Sequence, residues 1–493
     1  MPLILPGNVA SATAPTTYSV ANSCRFNAAD SAYLSDTWGS GSATTWTFSC
    51  WIKRAGLGLY RLLSSATDGN NDELIRFLAD GEFTMNIYQS ETNIGSATTT
   101  ALFRDPSAWY HLVAVWDTTQ STSTLAGGST DRIRMYVNGY QHSDWSASGV
   151  PDQNATAAHI NKSGEAFELG SNEGSNQFVD GYMAEVAFID GTAYAASDFG
   201  EFDEDSPTIW KPKDISGLTF GTNGFYLDFE DSSALGNDVS GNNNDLTANN
   251  LAAVDQATDT PTNNFCVLGG GTMNPQGFSG AVMTQGGLNI KSDSGDYSSC
   301  ATMAMTAGKW YWEVKNVSSV DQGRKVGIVR ADHISVISSQ GFHIGATYDN
   351  VMSALNGADG VIYQTHLNGG GKFGTFTDSN VDGGTTLSGT EIVGIALDAD
   401  NGTIKYFINN TEVNNSPVTL TNWATDFKPF GALPAARGDG GSLKQEWGFN
   451  FGGCPPFALS SAAADGNGYG AFEYAPPSGY LALCSKNLGS DGG

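Results

Sequence analysis

The chain has 493 residues, a length that fits two to four domains at roughly 100–200 residues each. Its 23 Lys and Arg against 51 Asp and Glu leave a formal net charge of −28, which excludes a phosphate-backbone partner and disfavours an anionic membrane surface. With 40% hydrophobic, 11% aromatic and only 15% charged residues, the chain is too apolar for disorder, and its polar surface must come from Ser, Thr, Asn and its 61 Gly.

The opening Met1-Pro-Leu-Ile-Leu-Pro-Gly-Asn lacks a basic region, so it is not read as a signal peptide. No apolar run approaches the roughly 18 residues of a membrane helix, so no membrane insertion and synthesis in a cytoplasm are expected. Residues 1–20 read as an N-terminal arm that docks to another protein or subunit. Short alternating segments follow. Trp46-Thr-Phe-Ser-Cys-Trp-Ile puts Trp46, Phe48, Cys50 and Ile52 on one face. Leu74-Ile-Arg-Phe-Leu and Phe83-Thr-Met-Asn-Ile-Tyr flank Asp80-Gly81, a hairpin signal. Tyr110-His-Leu-Val-Ala-Val-Trp is continuously apolar, as a central strand is. Ile133-Arg-Met-Tyr-Val puts Ile133, Met135 and Val137 on one face and turns at Asn138-Gly139.

Residues 236–272 are rich in Gly, Asn and Pro and read as a linker between residues 21–235 and residues 273–493. Beyond it, Ile392-Val-Gly-Ile-Ala-Leu and Ile404-Lys-Tyr-Phe-Ile-Asn-Asn repeat the earlier patterns. Met135-Tyr-Val-Asn-Gly echoes Tyr406-Phe-Ile-Asn-Asn, and Trp109-Tyr-His-Leu-Val echoes Trp310-Tyr-Trp-Glu-Val. The spacing between the echoed pairs differs, so two related sandwiches explain them better than a fixed-period repeat. No segment sustains a 3.6-residue period. The fold class is all-β, with antiparallel sheets packed in two tandem sandwiches and very little helix. The six cysteines, Cys24, Cys50, Cys266, Cys300, Cys454 and Cys484, form no metal-ligand spacing and read as buried thiols.

Phe48-Ser-Cys-Trp-Ile-Lys, Trp109-Tyr-His-Leu-Val-Ala-Val-Trp, Arg134-Met-Tyr-Val-Asn-Gly and Asp180-Gly-Tyr-Met-Ala-Glu-Val-Ala-Phe resemble pieces of the concanavalin A-like, laminin-G-type jelly roll. Gly308-Lys-Trp-Tyr-Trp-Glu-Val, the stretch from Gly389 to Asn410, Pro429-Phe-Gly-Ala and Pro477-Ser-Gly-Tyr-Leu-Ala-Leu-Cys resemble a SPRY domain, with Asn410 where that hairpin often has Gly. The tandem order, the opening peptide and Ala196-Ser-Asp-Phe-Gly-Glu-Phe-Asp-Glu-Asp-Ser-Pro-Thr-Ile-Trp-Lys-Pro resemble virion proteins of marine tailed bacteriophages. That resemblance implies a virion-surface location, other virion proteins as partners, and a homo-oligomer, a trimer if the chain is a fibre.

Glu201, Asp203 and Asp205 resemble the E-x-D-x-E strand of laminarinase-type glycosidases, in which two carboxylates act as nucleophile and acid. The flanking Ser197-Asp198 and Ser206-Pro207 favour a solvated turn instead. Asp378, Asn380 and Asp382, followed by Gly383, match the first half of a calcium loop, although Gly389 stands where a bidentate Glu is required. Asp238 and Asp245 bound a second oxygen-rich loop, so calcium is the one cofactor considered. Arg437-Gly-Asp439 is an integrin-type tripeptide of little weight. The six His are scattered and form no metal or nucleophile motif. Trp38, Trp145 and Trp423 are candidates for stacking on sugar rings, with Trp51 and Trp210 beside them, whereas Trp46, Trp109, Trp116, Trp310 and Trp312 read as core.

The expectation is a non-enzymatic virion surface protein, a tail fibre or receptor-binding appendage that recognises host surface glycan or protein through β-sandwich loops. The alternatives are a structural decoration or adaptor protein and, third, a glycan depolymerase.

Overall fold

The computed structural model describes residues 18–68, 70–269, 281–292, 297–317, 325–331, 391–412, 417–420, 422–438 and 445–491, with the backbone pairing of short strands between 352 and 379. The chain divides into two compact units, whose boundary lies between Asn263 and Asn264. Both are antiparallel β-structures, and among the described residues one α-helix is present, Ser485–Asp491.

The first unit holds two eight-stranded sheets. One is centred on Thr45–Arg54, which pairs with Trp109–Asp117 on one side and Gly181–Asp190 on the other. Ile133–Val137 and the short Tyr140–Gln141 continue it to an edge. The other sheet runs through Trp145–Gly149, Thr92–Leu102, Glu82–Gln89, Asn71–Phe77, Tyr60–Asp68, Ala166–Leu169, Tyr33–Thr37 and Thr247–Asn249. Trp46, Phe48, Cys50 and Ile52 all enter the core between the sheets, as do Ile133, Met135 and Val137. The expected hairpin at Asp80-Gly81 is present, with Gly81 at φ 100°.

The continuous apolar run at 110–116 has a physical reason. Leu112, Ala114 and Trp116 face the main core, while Val113 and Val115 face a second one. This second core lies on the outer side of the same sheet. It is roofed by residues 193–220, through Ala196, Phe199, Ile215 and Phe220. Burial on both faces removes the alternation that a half-exposed strand would show.

Residues 236–263, expected as part of a linker, fold into the first unit. Leu246 is in its core, Thr247–Asn249 is an edge strand and Gln256–Ala257 pairs with Ser23–Phe26. Asp259 lies buried beneath Lys53 at 2.7 Å and Trp109 Nε1 at 3.0 Å. The stretch is polar because its carboxylates and amides make internal hydrogen bonds, not because it breaks the fold. Of the N-terminal arm, residues 18–20 are described. Tyr18 Oη donates to the buried Glu185 at 2.9 Å, and Val20 N donates to Thr262 at 3.1 Å.

In the second unit, Lys309–Asn316 pairs with Ile392–Asp398, which pairs with Thr403–Ile408 in a nine-stranded sheet. A six-stranded sheet contains Lys325–Arg330 and Ala432–Gly438. Trp310, Trp312 and Trp447 are fully buried. Glu313, also buried, accepts from the backbone amides of Glu473 and Tyr474, both at 2.8 Å, and so ties the C-terminal segment to the sheet. All six cysteines are buried and none forms a disulfide.

Candidate functional site

At the edge of the first sheet the strand Ile133–Val137 turns through Asn138-Gly139 into Tyr140. Both turn residues have positive φ, 49° and 83°, the geometry of a two-residue hairpin loop. Asn138 is held from below, because His111 N donates to its Oδ1 at 2.8 Å while Asn138 N donates back to His111 O at 2.9 Å. Trp210 lies against Gly139 so closely that a Cβ there would sit 2.4 Å from the indole. The turn therefore needs glycine for packing as well as for φ.

This packing opens a recess of about 360 Å³ beside the hairpin, lined by Phe103, Trp109, Asn138, Tyr140, His142 and Trp210, with Val137 and Thr208. Tyr140 is 61% exposed and touches Phe202, ring to ring at 5.1 Å. Phe103 meets His142 edge to face at 5.8 Å. Aromatic walls with an amide, a hydroxyl and an imidazole at the rim suit a ligand with apolar ring faces and hydroxyl edges.

Beneath the recess is His111, fully buried. Trp210 Nε1 donates to its Nδ1 at 3.0 Å, so the ring proton sits on Nε2 and is donated to Ser49 Oγ, also at 3.0 Å. Burial pushes the imidazole down to about 3. In this tautomer the imidazole cannot take the Ser49 proton, so the Ser–His pair is a brace for Trp210 and not a nucleophile with its base.

The acidic cluster belongs to the roof. Gly200–Phe202 pairs with Trp210–Pro212, and Lys211 lies 3.5 Å from both Glu201 and Asp203. Asp203 is buried, not solvated as expected. Its Oδ1 accepts from the amides of Asp205 at 3.0 Å and Ser206 at 2.9 Å. These bonds and Lys211 hold its carboxyl below the ordinary range despite the cost of desolvation. A carboxylate so committed closes a turn.

Four stacking candidates are placed elsewhere than expected. Trp38 is 3% exposed and stacks on Phe167 at 3.8 Å in the main core. Trp423 is 7% exposed, donates to Ala399 O at 2.8 Å and packs on the turn at Gly402, where a Cβ would lie 2.5 Å from the indole. Trp145 is half-buried, donates to Leu125 O at 2.7 Å and packs against the main core. Trp51 is buried and stacks on His111. The turn signals that made these tryptophans look exposed were real, but the indoles fold inward over the turns. Trp210 does line the recess. Tyr140, the most exposed wall, was missed, although an aromatic directly after an Asn-Gly turn is a legible signal for an outward side chain.

The oxygen-rich loop 238–245 is closed upon itself. Asp238 accepts from Tyr226 N at 2.9 Å and Ser240 N at 2.8 Å through Oδ1, and from Asn244 N and Ser240 Oγ, both at 2.9 Å, through Oδ2. Asp245 accepts from Asp238 N at 2.9 Å. These oxygens are occupied by donors of the loop, as in other Asx turns, and by the strand residue Tyr226. Among the described residues no group of three or more His, Cys, Asp or Glu is placed to hold a metal. The backbone of Asp378 pairs with Tyr363. Its side chain, Asn380 and Asp382 lie outside the described residues, as does Asp439.

The other face of interest is the outer side of the second sheet. Cross-strand register aligns Arg61, Arg76, Thr84 and Thr98 in one row and Glu168, Ser64, Leu74, Asn86 and Ser96 in the next. Except for Leu74 both rows are polar, yet Arg61, Ser64, Leu74, Thr84, Ser96 and Thr98 are all buried, so the face offers little open surface.

The sequence profile of the concanavalin A-like lectin/glucanases superfamily matches residues 26–196. A search of the curated proteins finds no match. Among solved structures, the SPRY domain of human HERC1 is 14% identical, covers 36% of this chain and 94% of its own, and superposes with a TM-score of 0.26. Domains LG4-5 of the mouse laminin alpha1 chain are 10% identical over 89% of this chain and 86% of theirs, with a TM-score of 0.27. The native heptameric SAP-like pentraxin from Limulus polyphemus is 15% identical over 32% of this chain and 69% of its own, with a TM-score of 0.23. The first unit has the concanavalin A-like fold that its residues anticipated.

Proposed function

We propose that the chain is a non-enzymatic surface protein of a tailed-bacteriophage virion, a tail fibre or related receptor-binding appendage, and that its first sandwich recognises host-surface glycan. The observation that carries the binding reading is the aromatic recess at the Asn138-Gly139 hairpin. It is large enough for a sugar ring, it has one prominent exposed aromatic in Tyr140, and a buried brace of His111, Ser49 and Trp210 fixes its wall. A pre-formed wall lowers the ordering cost of binding. The virion setting rests on the resemblance of the opening peptide and of the tandem order, and fibres of this kind act as homo-oligomers, typically trimers, attached to other virion proteins.

The test is adsorption of the purified full chain to host cells. Saturable binding that falls at least tenfold in Tyr140→Ala, with an unchanged melting temperature, supports the reading. Gold-labelled antibodies against the chain should then decorate the tail of purified particles. Label on the head together with an absence of cell binding would transfer the chain to the decoration or adaptor class. An arm with chelator, then restored calcium, tests whether the loops at 238–245 and 378–382 contribute.

A further inference from the structure

We infer that Lys53 and Asp259 join their side chains in an intramolecular amide bond, a covalent clasp between the central strand of the first sheet and the last segment of the first unit. The pair is deeply buried. Lys53 Nζ donates to Asp259 Oδ2 at 2.7 Å, and the two side chains are 1% and 2% exposed. Trp109 Nε1 donates to the other oxygen, Oδ1, at 3.0 Å. Cross-strand register puts Lys53 between Trp109 and Tyr182, and its Nζ lies 6.0 Å from the centre of the Tyr182 ring. Other lysines in ion pairs, Lys211, Lys309 and Lys405, are 19–40% exposed. Arg25, on the other side of Tyr182, makes a buried pair with Asp255 of the same segment, but a guanidinium stays protonated and is no nucleophile. Among the described residues, Lys53 is thus the lysine whose amine and carboxylate partner are both shut away from water.

Enclosure favours condensation. Two charges held out of water are costly, and passing one proton across the 2.7 Å hydrogen bond turns the ion pair into an amine and a carboxylic acid. A nitrogen in hydrogen-bond contact with Oδ2 is within about 4 Å of Cγ, near the roughly 3–3.5 Å from which fixed partners react. The step balances without a co-reactant. Nζ attacks Cγ and forms the C–N bond. Charge develops on Oδ1, where Trp109 Nε1 already donates. Oδ2 keeps the proton it received, takes a second from Nζ and leaves as water, and the carbonyl re-forms at Oδ1. The product keeps one proton on Nζ and is neutral, so the cost of two buried charges disappears. The bond also has a mechanical consequence. Asp259 lies just before the boundary that follows Asn263, in a segment held by hydrogen bonds such as Ser23 Oγ to Asp259 O at 2.7 Å. An amide at Lys53 fastens that segment to Thr45–Arg54, so pull on the chain beyond Asn263 is borne covalently.

The clasp does not depend on the recess or on any ligand. The experiment is mass spectrometry of the purified full chain, first intact and then digested with trypsin after denaturation. The expected result is a chain lighter by one water, loss of cleavage after Lys53, and a branched peptide that joins Lys53 to Asp259. Lys53→Arg keeps the buried cation but cannot form the amide, and Asp259→Ala lacks the acyl carbon, so both should show their full mass. The deciding readouts come from the native chain, so they hold even where a variant fails to fold. Full native mass with normal cleavage after Lys53 overturns the inference. So does a missing water that maps elsewhere, for example to a succinimide at Asp180-Gly181.

Discussion

The hairpin at Asn138-Gly139 and the hairpin at Asn409-Asn410 are closed by the same bonds. In each, both turn residues have positive φ, 49° and 83° in the first, 47° and 64° in the second. In each, the Asn accepts a backbone amide from the neighbouring strand and donates its own N–H to the same residue's carbonyl. That residue is His111 at 2.8 and 2.9 Å in the first, and Ile392 at 3.0 and 3.0 Å in the second. What differs is the packing around them. Trp210 presses on Gly139, His111 braces Trp210, and a recess opens beside them. The second hairpin has Asn410 where the first has Gly139. The backbone device belongs to the fold, and the function we propose depends on what was packed against one copy of it.

Removing the packing should have the largest effect. Trp210→Ala deletes a large side chain between the roof and the hairpin, and a loss of about 3 kcal/mol in denaturant unfolding of the first unit is expected. No single side chain near Asn410 should matter as much.

Acid should separate the two hairpins next. The folded pKa of His111 is depressed to about 3 from an ordinary 6.5. The stability it supports is therefore complete above pH about 6.5 and is lost as pH falls from there toward 3. Between pH 6.5 and 4.5 the loss is about 2–3 kcal/mol at 1.36 kcal/mol per pH unit. Melting of the native chain against His111→Gln across this range should show that slope in the native chain alone. Amides around the first hairpin should lose hydrogen-exchange protection over the same range, after correction for the intrinsic rate. Ile392, the counterpart of His111, does not titrate, so the second hairpin should keep its protection.

Exchanging the turn residues sharpens the contrast. Gly139→Asn, which copies the second hairpin, should cost about 2 kcal/mol by overpacking against Trp210 and abolish recess-dependent cell binding. Asn410→Gly, the reverse change, should stay within about 0.5 kcal/mol of the native chain. The most symmetrical effects are expected at the shared device: Asn138→Ala and Asn409→Ala should each lose about 1–2 kcal/mol, one hydrogen bond plus the penalty of Ala at positive φ. A large difference between them would show that the two turns are not equivalent.

Much of this was legible in the residues. The alternation of Trp46, Phe48, Cys50 and Ile52 placed a central strand, and the echo of Met135-Tyr-Val-Asn-Gly in Tyr406-Phe-Ile-Asn-Asn anticipated the matching hairpins. The roof over Val113 and Val115 was not legible, because a doubly buried strand says that something covers it without saying what. Leu246 and Asp259 were hidden in a polar stretch whose hydrogen bonds only tertiary structure reveals. Among the site residues, Trp210 lines the recess, while Trp38 and Trp423 stand next to turn signals and are nonetheless buried.

The most direct test of the central claim is hydroxyl-radical footprinting of the full chain with and without surface polysaccharide extracted from host cells. The account predicts protection of Tyr140 and Phe103 at the recess while Glu201 and Asp205 of the roof keep their reactivity. Unchanged Tyr140 with protection confined to residues 264–493 would contradict it.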